Sequence, residues 1–463
     1  MMRRLGFLLI VAFVMVSGCA QKEDLTTPNL PPETYVAIAD SVRNPTVYIQ
    51  VLHWWGEDID GEVVGYEYKW ELDPTEGTCG FDTTWIFTEE TGDTFHLPVT
   101  EDTGTHRFYV RAIDDDGSAD PTPASTSFPV TNSPPSVRIW DIGSLPDTTY
   151  PAFAFKWHGE DPEGDETIAE YLVWLDGETL PRVLDAQDTM VTLTVDDFGG
   201  RYGERTVYLV AIDSGCDTSN VATYSWFVKQ PEGNVLLVDN LPREYAGYRV
   251  GDRFYRTALD SCIGTYSVLD IEHFGGNRYS FAFESLFELF DLVIWYNDPW
   301  HDPDQGRDTL YLAPVAPILP DFVAGGGRLI LISHTAVGTR GAFRDSATLQ
   351  FFGIDSLYLR ENSTDFDCKR WIVYGNGAVG LDTVKVNGLF MGAECMKPQQ
   401  DATPLFHIPP GTVDPEQTVD YYVGIMNDYG EGKVALLTFP ISRSNTYRNN
   451  QSVFCKLVEL MLN

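Results

Sequence analysis

Two stretches of this chain carry the same features in the same order, about a hundred residues apart. The first reads Trp54-Trp55-Gly56-Glu57-Asp58-Ile59-Asp60-Gly61 and continues to Val110-Arg111-Ala112-Ile113-Asp114. The second reads Trp157-His158-Gly159-Glu160-Asp161-Pro162-Glu163-Gly164 and continues to Leu209-Val210-Ala211-Ile212-Asp213. Asp58 and Asp161 lie 103 positions apart, and Asp114 and Asp213 lie 99 apart. That period is the length of one sandwich domain. Tyr66, Tyr68 and Trp70 alternate with Glu67, Lys69 and Glu71, and Phe153, Phe155 and Trp157 repeat the pattern. A period of two belongs to strands with one buried face. Asn132-Ser133-Pro134-Pro135 separates the copies and Gln230-Pro231-Glu232-Gly233 ends the second, which bounds two β-sandwiches at 33–131 and 134–229.

The feature order is a strand ending in Trp, an acidic loop, a Tyr-bearing strand and a late strand. It resembles fibronectin type III and related immunoglobulin-like domains over residues 33–229. Such sandwiches host many functions, so the resemblance implies a fold and no activity. Neither copy contains Arg-Gly-Asp, so integrin-type adhesion is unsupported. In this topology the B–C and F–G loops leave the same end. Glu57, Asp58 and Asp60 are then expected near Asp114, Asp115 and Asp116, and Glu160, Asp161 and Asp165 near Asp213 and Asp217. Clustered carboxylates suit Ca²⁺; the same Asp and Gly residues equally serve as turn chemistry, with Asp capping its own backbone. Both readings stand on sequence alone, and Ca²⁺ is the one cofactor considered.

From Asn234 the pattern changes. Val235-Leu236-Leu237-Val238-Asp239, Leu292-Val293-Ile294-Trp295-Tyr296 and Leu329-Ile330-Leu331-Ile332-Ser333 are continuous apolar runs, as strands buried on both faces require. Phe254, Ala258, Leu259 and Cys262 mark an amphipathic helix, 266–271 a further strand, and Gly325-Gly326-Gly327 a helix end. A late strand at 433–439 and a helix at 453–462 complete the alternation of a doubly wound α/β domain over 233–463. Residues 355–432, richer in strand and turn signals, read as an insertion.

The runs 234–239, 290–298, 325–334 and 433–442 resemble the class I glutamine amidotransferase-like, flavodoxin-like superfamily. Active members place a nucleophilic Cys on a glycine-flanked elbow and a His-x-Glu after the last strand. Here the elbow position falls at Ser333-His334, with Leu331 and Thr335 where glycines would stand, and Phe439-Pro440-Ile441-Ser442 follows the last strand without His-x-Glu. The resemblance therefore implies loss of that activity. Ligands in open α/β sheets bind beyond the carboxyl ends of the strands. That edge gathers Asp239, Asn240, Asn297, Asp298, Trp300, His301, Asp302, Ser333, His334 and Arg443 as candidate binding residues. Ser333 with His301 or His334 is the residual catalytic candidate.

The N-terminus sets location. Arg3-Arg4, an apolar run from Leu5 to Val16 and Val16-Ser17-Gly18-Cys19 form a short signal peptide whose end resembles a bacterial lipobox. That implies lipidation at Cys19, a tether over 20–32, and an outer-membrane or cell-surface protein, the periplasmic face being the other placement. Against 31 Lys+Arg stand 68 Asp+Glu, a net charge of −37 that excludes phosphate-backbone binding as a role. Six cysteines remain after Cys19, enough for three disulfides in fifteen connectivities. Cys368–Cys395 within the insertion is one expected pair; the flavodoxin-like resemblance, in which the first and last helices are neighbours, implies Cys262–Cys455, and Cys79 and Cys216 are expected free. The resulting expectation is a lipid-anchored, non-catalytic protein in which a sandwich stalk presents an α/β domain to a ligand or to a protein or glycan partner. A surface hydrolase and a calcium-stabilised adhesion or glycan-binding module are the alternatives.

Overall fold

The computed structural model describes residues 28–38, 49–72, 82–97, 104–130, 132–241, 248–271, 282–297, 312–333, 336–337, 343, 345–358, 367–391, 394–411, 418–442 and 447–463. Of 104, 129–130, 248–249, 367–371, 387–391 and 447 it describes the backbone. Contacts divide the chain into two compact units, Met1–Asn132 and Ser133–Asn463. Strand outweighs helix throughout the described residues.

The first unit is a β-sandwich. Strands β1 (Glu33–Ile38), β2 (Ile49–Glu57) and β5 (Gly92–His96) form one sheet. Strands β4 (Ile86–Thr88), β3 (Val63–Glu71), β6 (Gly104–Asp114) and β7 (Ala124–Val130) form the other, in that order. This three-on-four antiparallel arrangement is fibronectin type III-like. Alternation along each strand sends Trp54, Trp70, Phe95, Phe108 and Phe128 into one shared core. Trp70 and Phe108 pack with centroids 4.9 Å apart. Burying each such ring contributes about 2–3 kcal/mol.

The second sandwich repeats the plan within the second unit. Strands β8 (Ser136–Ile139), β10 (Phe153–Glu160) and β13 (Met190–Leu193) face β12 (Arg182–Asp185), β11 (Ile168–Leu175), β14 (Gly203–Asp213) and β15 (Ala222–Val228). A two-residue strand β9 (Thr148–Thr149) runs parallel to β15, where Thr149 Oγ1 accepts from the Trp226 indole at 2.9 Å. One helical turn, α1 (Val195–Phe198), carries a capping box between Thr194 and Asp197.

Beyond residue 233 lies a mixed eleven-stranded sheet. Strands β16 (Val235–Asp239), β17 (Ser267–Asp270), β18 (Leu292–Asn297), β19 (Arg328–Ser333) and β26 (Gly432–Leu437) are mutually parallel in the order β17-β16-β18-β19-β26. Helices α2 (Tyr248–Cys262) and α7 (Tyr447–Leu462) cover one face. Helices α3 (Phe283–Phe287), α4 (Leu312–Val315), α5 (Leu319–Ala324) and α6 (Ser346–Phe351) cover the other. Successive residues of one strand therefore enter different cores: Leu237, Ile294 and Ile332 under α2 and α7, Val238, Trp295 and Leu331 under the opposite helices. Both faces being dry explains the unbroken apolar runs.

The strand-rich segment expected over 355–432 stands between β19 and β26 and is built into their sheet. Strands β20 (Ile354–Leu357), β21 (Asp367–Gly375), β22 (Val384–Met391), β23 (Met396–Pro398), β24 (Thr403–Ile408) and β25 (Tyr421–Tyr429) extend the same sheet. The join is the antiparallel pairing of β25 with β26. The segment is sheet because the bare edge of β26 offers a ladder of unpaired amides and carbonyls, which β25 satisfies.

Candidate functional site

Most of the buried polar side chains described in the sheet domain gather at the carboxyl ends of the parallel strands. Asp239, Asn240, Asp270, Asn297 and Ser333 end their strands or directly follow them, and Thr438 and Ser442 follow β26; all are buried. Asp239 pairs with Asp270 and with Tyr296, and Asn297 pairs with Ser333. The order β17-β16-β18 reverses chain direction in the sheet at β16, which makes the β16/β18 boundary the topological switch point.

Strand alternation divides this row. Asp239, Asp270 and Tyr296 lie on the α2 face, whereas Asn297 and Ser333 lie on the opposite one. On the α2 face, Asp239 Oδ1 accepts from the Leu241 amide at 3.0 Å. Asn240 Nδ2 meets no hydrogen-bond partner, and Asp239 Oδ2 and the Tyr296 hydroxyl have no side-chain partner but each other. Burial, reinforced by the nearby Asp270 and Asp252 charges, pushes the Asp239 carboxyl up to about 7, and the neighbouring Tyr296 offsets only part of this. Burial and then the Asp239 charge hold the Tyr296 hydroxyl well above its ordinary range. Arg256 on α2 pairs with Asp252 across one helical turn.

A residue the sequence did not single out closes the edge at β19 and β26. Glu394 Oε2 accepts from the Val337 amide at 2.8 Å, and its carbonyl accepts from Thr438 Oγ1 at 2.7 Å. Burial pushes its carboxyl up to about 8. Glu394 stands in an irregular segment between β22 and β23, with no motif around it. Ser333 itself ends β19 in regular parallel register with Asn297 and is 1% exposed.

Of the other candidates at this edge, Asp298, Trp300, His301, Asp302, His334 and Arg443 lie outside the described residues, as does Cys19. No helix among the described residues is long and apolar enough to cross a membrane. Two clefts are elsewhere. One of 450 Å³, lined by Glu284, Phe287, Glu288, Asp291, Phe322 and Gly325–Gly327, sits at the amino ends of β18 and β19. One of 290 Å³, lined by Tyr150, Lys229, Glu232, Arg256, Asp260 and Ser267, sits between the second sandwich and the sheet domain.

The sandwich loops do come together. The Glu62 amide donates to Asp115 Oδ1 and the Asp115 amide to the Glu62 carbonyl, both at 3.0 Å. A Cβ on Gly61 would lie 2.4 Å from Asp115 Oδ1 and 2.7 Å from Asp58 Oδ2. The carboxylates nevertheless face backbone donors. Asp58 accepts from the Asp60 amide, Asp60 from Leu30, and Asp114 from Asp116, Ser118 and the Asn29 side chain. In the second copy Asp161 accepts from Glu163, Asp165 from Asp161 and Asp213 from Asp217. Glu57 ends β2 and Glu160 ends β10, and the Glu160 carboxylate faces Arg138 and His158. These are turn-capping contacts, and among the described residues no group of three or more His, Cys, Asp or Glu is arranged to hold a metal ion.

Three cysteine expectations are corrected. Cys216 is disulfide-bonded. Cys395 is a thiol buried in the core under α2 and α7, and that burial pushes it up to about 12. Cys262 and Cys455 are brought together, but as thiols and not as the expected disulfide.

No family model matches the chain, and no curated protein matches it. Similar solved structures include fibronectin type III-like modules. The Clostridium thermocellum CbhA fibronectin(III)-like modules share 14% identity at a TM-score of 0.20, covering 42% of this chain and 95% of that one. The chicken CNTN1 FN1-FN3 domains share 15% at 0.19, covering 44% and 68%. The exo-beta-1,4-mannosidase Op5Man5 from Opitutaceae bacterium strain TAV5 shares 11% at 0.27, covering 50% and 36%, so this chain matches little over a third of it. At such scores nothing about activity transfers, and the sandwich assignment rests on strand order.

Proposed function

We propose that this is a lipid-anchored exported protein in which fibronectin type III-like sandwiches carry a catalytically silent, flavodoxin-like domain, related to the amidotransferase-like superfamily, that binds a small polar ligand at its strand ends. The observation that carries the reading is the set of under-satisfied buried polar groups at the β16/β18 boundary: Asn240 Nδ2, which meets no partner, and Asp239 Oδ2 and the Tyr296 hydroxyl, whose side-chain contact is with each other alone. Leaving such groups unpaired costs about 1–3 kcal/mol each, a cost that a ligand offering both donors and acceptors removes. The flavodoxin-like assignment is supported by the parallel order β17-β16-β18-β19-β26, which in chain order is second, first, third, fourth, fifth. The silent reading is supported by Ser333, which continues a regular strand and is enclosed on the side where Glu394 crosses the edge.

The test is a thermal-shift screen of the full chain against neutral and charged polar metabolites, repeated with Asn240→Ala and Tyr296→Phe. A ligand that raises Tm in the parent and loses its effect in both variants supports the site. Stabilisation indifferent to both variants places binding elsewhere. Ester or amide turnover abolished by Ser333→Ala overturns the silent reading. The anchor is tested by Cys19→Ser, which is expected to move the protein from the membrane to the soluble fraction; retention at the membrane refutes it.

A further inference from the structure

The first and last helices of the sheet domain meet through two cysteines. Cys262 ends α2, and Cys455 lies midway along α7. The two sulfurs share one acceptor, each 3.1 Å from the Ala258 carbonyl oxygen, so they can be no further apart than twice that distance. Both side chains are partly exposed, unlike the buried Cys395. The helices pack against each other over the same sheet face, with Phe254 and Phe454 in one core and ring centroids 6.0 Å apart.

We infer that Cys262 and Cys455 form a reactive dithiol that closes to a disulfide on meeting an exogenous disulfide, tying α2 to α7. Contact between the thiols lowers the Cys455 proton affinity, while the same contact, with burial, raises that of Cys262. The thiol that ionises first is the attacking thiolate. Its sulfur bonds to one sulfur of the incoming disulfide, whose S–S bond breaks and releases one thiolate. The other cysteine then gives up its proton and attacks the protein sulfur of the mixed disulfide, releasing the second thiolate. The protein loses two protons and two electrons, and the incoming disulfide takes up the electrons as two thiols. The link would close a very long loop of chain, the case in which a disulfide restricts the unfolded state most.

The full chain is incubated with oxidised glutathione, quenched with acid and mapped by proteolysis and mass spectrometry without reductant. The expected result is a peptide pair joined through Cys262 and Cys455, with the intact mass lowered by two hydrogens. Tm is expected to rise by about 5–10 °C on oxidation and to fall back on reduction. Cys262→Ser and Cys455→Ser are each expected to stop at a glutathione adduct on the remaining cysteine, with no internal link formed. Two separate glutathione adducts in the parent chain, two unreacted thiols, or a link from either cysteine to a different one would each overturn the inference. The parent-chain map needs no variant to fold.

Discussion

Asp239 shows what a single carboxyl does when neighbours withhold water and partners. Its ordinary value is 3.8, and in the fold it stands near 7. The folded state therefore holds a proton that the unfolded chain releases, so stability is full below about pH 4 and declines as pH rises towards 7. Asparagine is isosteric and cannot ionise. Asp239→Asn is expected to stabilise the protein by about 2–4 kcal/mol at pH 8 and to leave it nearly unchanged at pH 4. Glu394, standing near 8, has the same sign and extends the decline by about a unit, so Glu394→Gln should flatten what remains of the slope. Tm measured from pH 4 to 9 for the parent, each variant and the pair decides this. An Asp239→Asn curve parallel to the parent's would show that the carboxyl is solvated or paired in solution.

Among elements, the most informative contact is the one that closes the free edge of the parallel strands. β17 ends the sheet on its side, and an edge strand presents unpaired amides and carbonyls. Tyr150 of the second sandwich occupies that edge. Its hydroxyl accepts from the Val268 amide at 2.9 Å and donates to the Val268 carbonyl at 3.0 Å, as a neighbouring strand would. Tyr150→Phe should cost about 1–2 kcal/mol and raise amide exchange at Val268 above that of Leu237 in the central β16; unchanged exchange would show that water replaces the hydroxyl at no cost. At the other side of the parallel strands, the β25–β26 hairpin presses on the end of α5. A Cβ on Gly432 would lie 2.1 Å from the Gly327 carbonyl oxygen and 2.2 Å from that of Val323, both backbone atoms with no rotamer to yield. Gly432→Ala is expected to cost about 2–3 kcal/mol. Gly377→Ala, which meets nothing within 4 Å, is expected to cost almost nothing, and equal denaturant midpoints for the two would refute the close approach.

At the scale of the molecule, legibility in the sequence followed the range of the interaction. Alternation and two-faced apolar runs are local, so Trp54, Phe155 and the β16, β18 and β19 cores could be placed from residue types alone. The row of Asp239, Asn297 and Ser333 was also legible, because strand ends are; its division between two faces needed the register. Glu394, the antiparallel half of the sheet and Tyr150 were illegible because each depends on a partner far along the chain. Tyr150 changes how the linker at 230–233 should be understood. Across that short connection, Tyr150 and Ala152 enter the core formed by Leu269, Phe290 and Leu236, and Tyr150 meets Phe290 edge-on with centroids 5.9 Å apart. The Glu232 amide donates to Ser267 Oγ at 2.8 Å, and that hydroxyl donates back to the Glu232 carbonyl at 3.1 Å. A flexible spacer would leave such groups to water. Residues 133–463 are therefore expected to unfold as one cooperative unit, even though their sandwich has a core of its own. Fluorescence of Trp226 in the sandwich and of Trp295 in β18, each read in a variant whose other tryptophans are Phe, should give coincident denaturant transitions. Tyr150→Ala should separate them, the sheet domain losing its edge cover and melting first; transitions already separate in the parent would mean that the joint is too weak to couple the two cores.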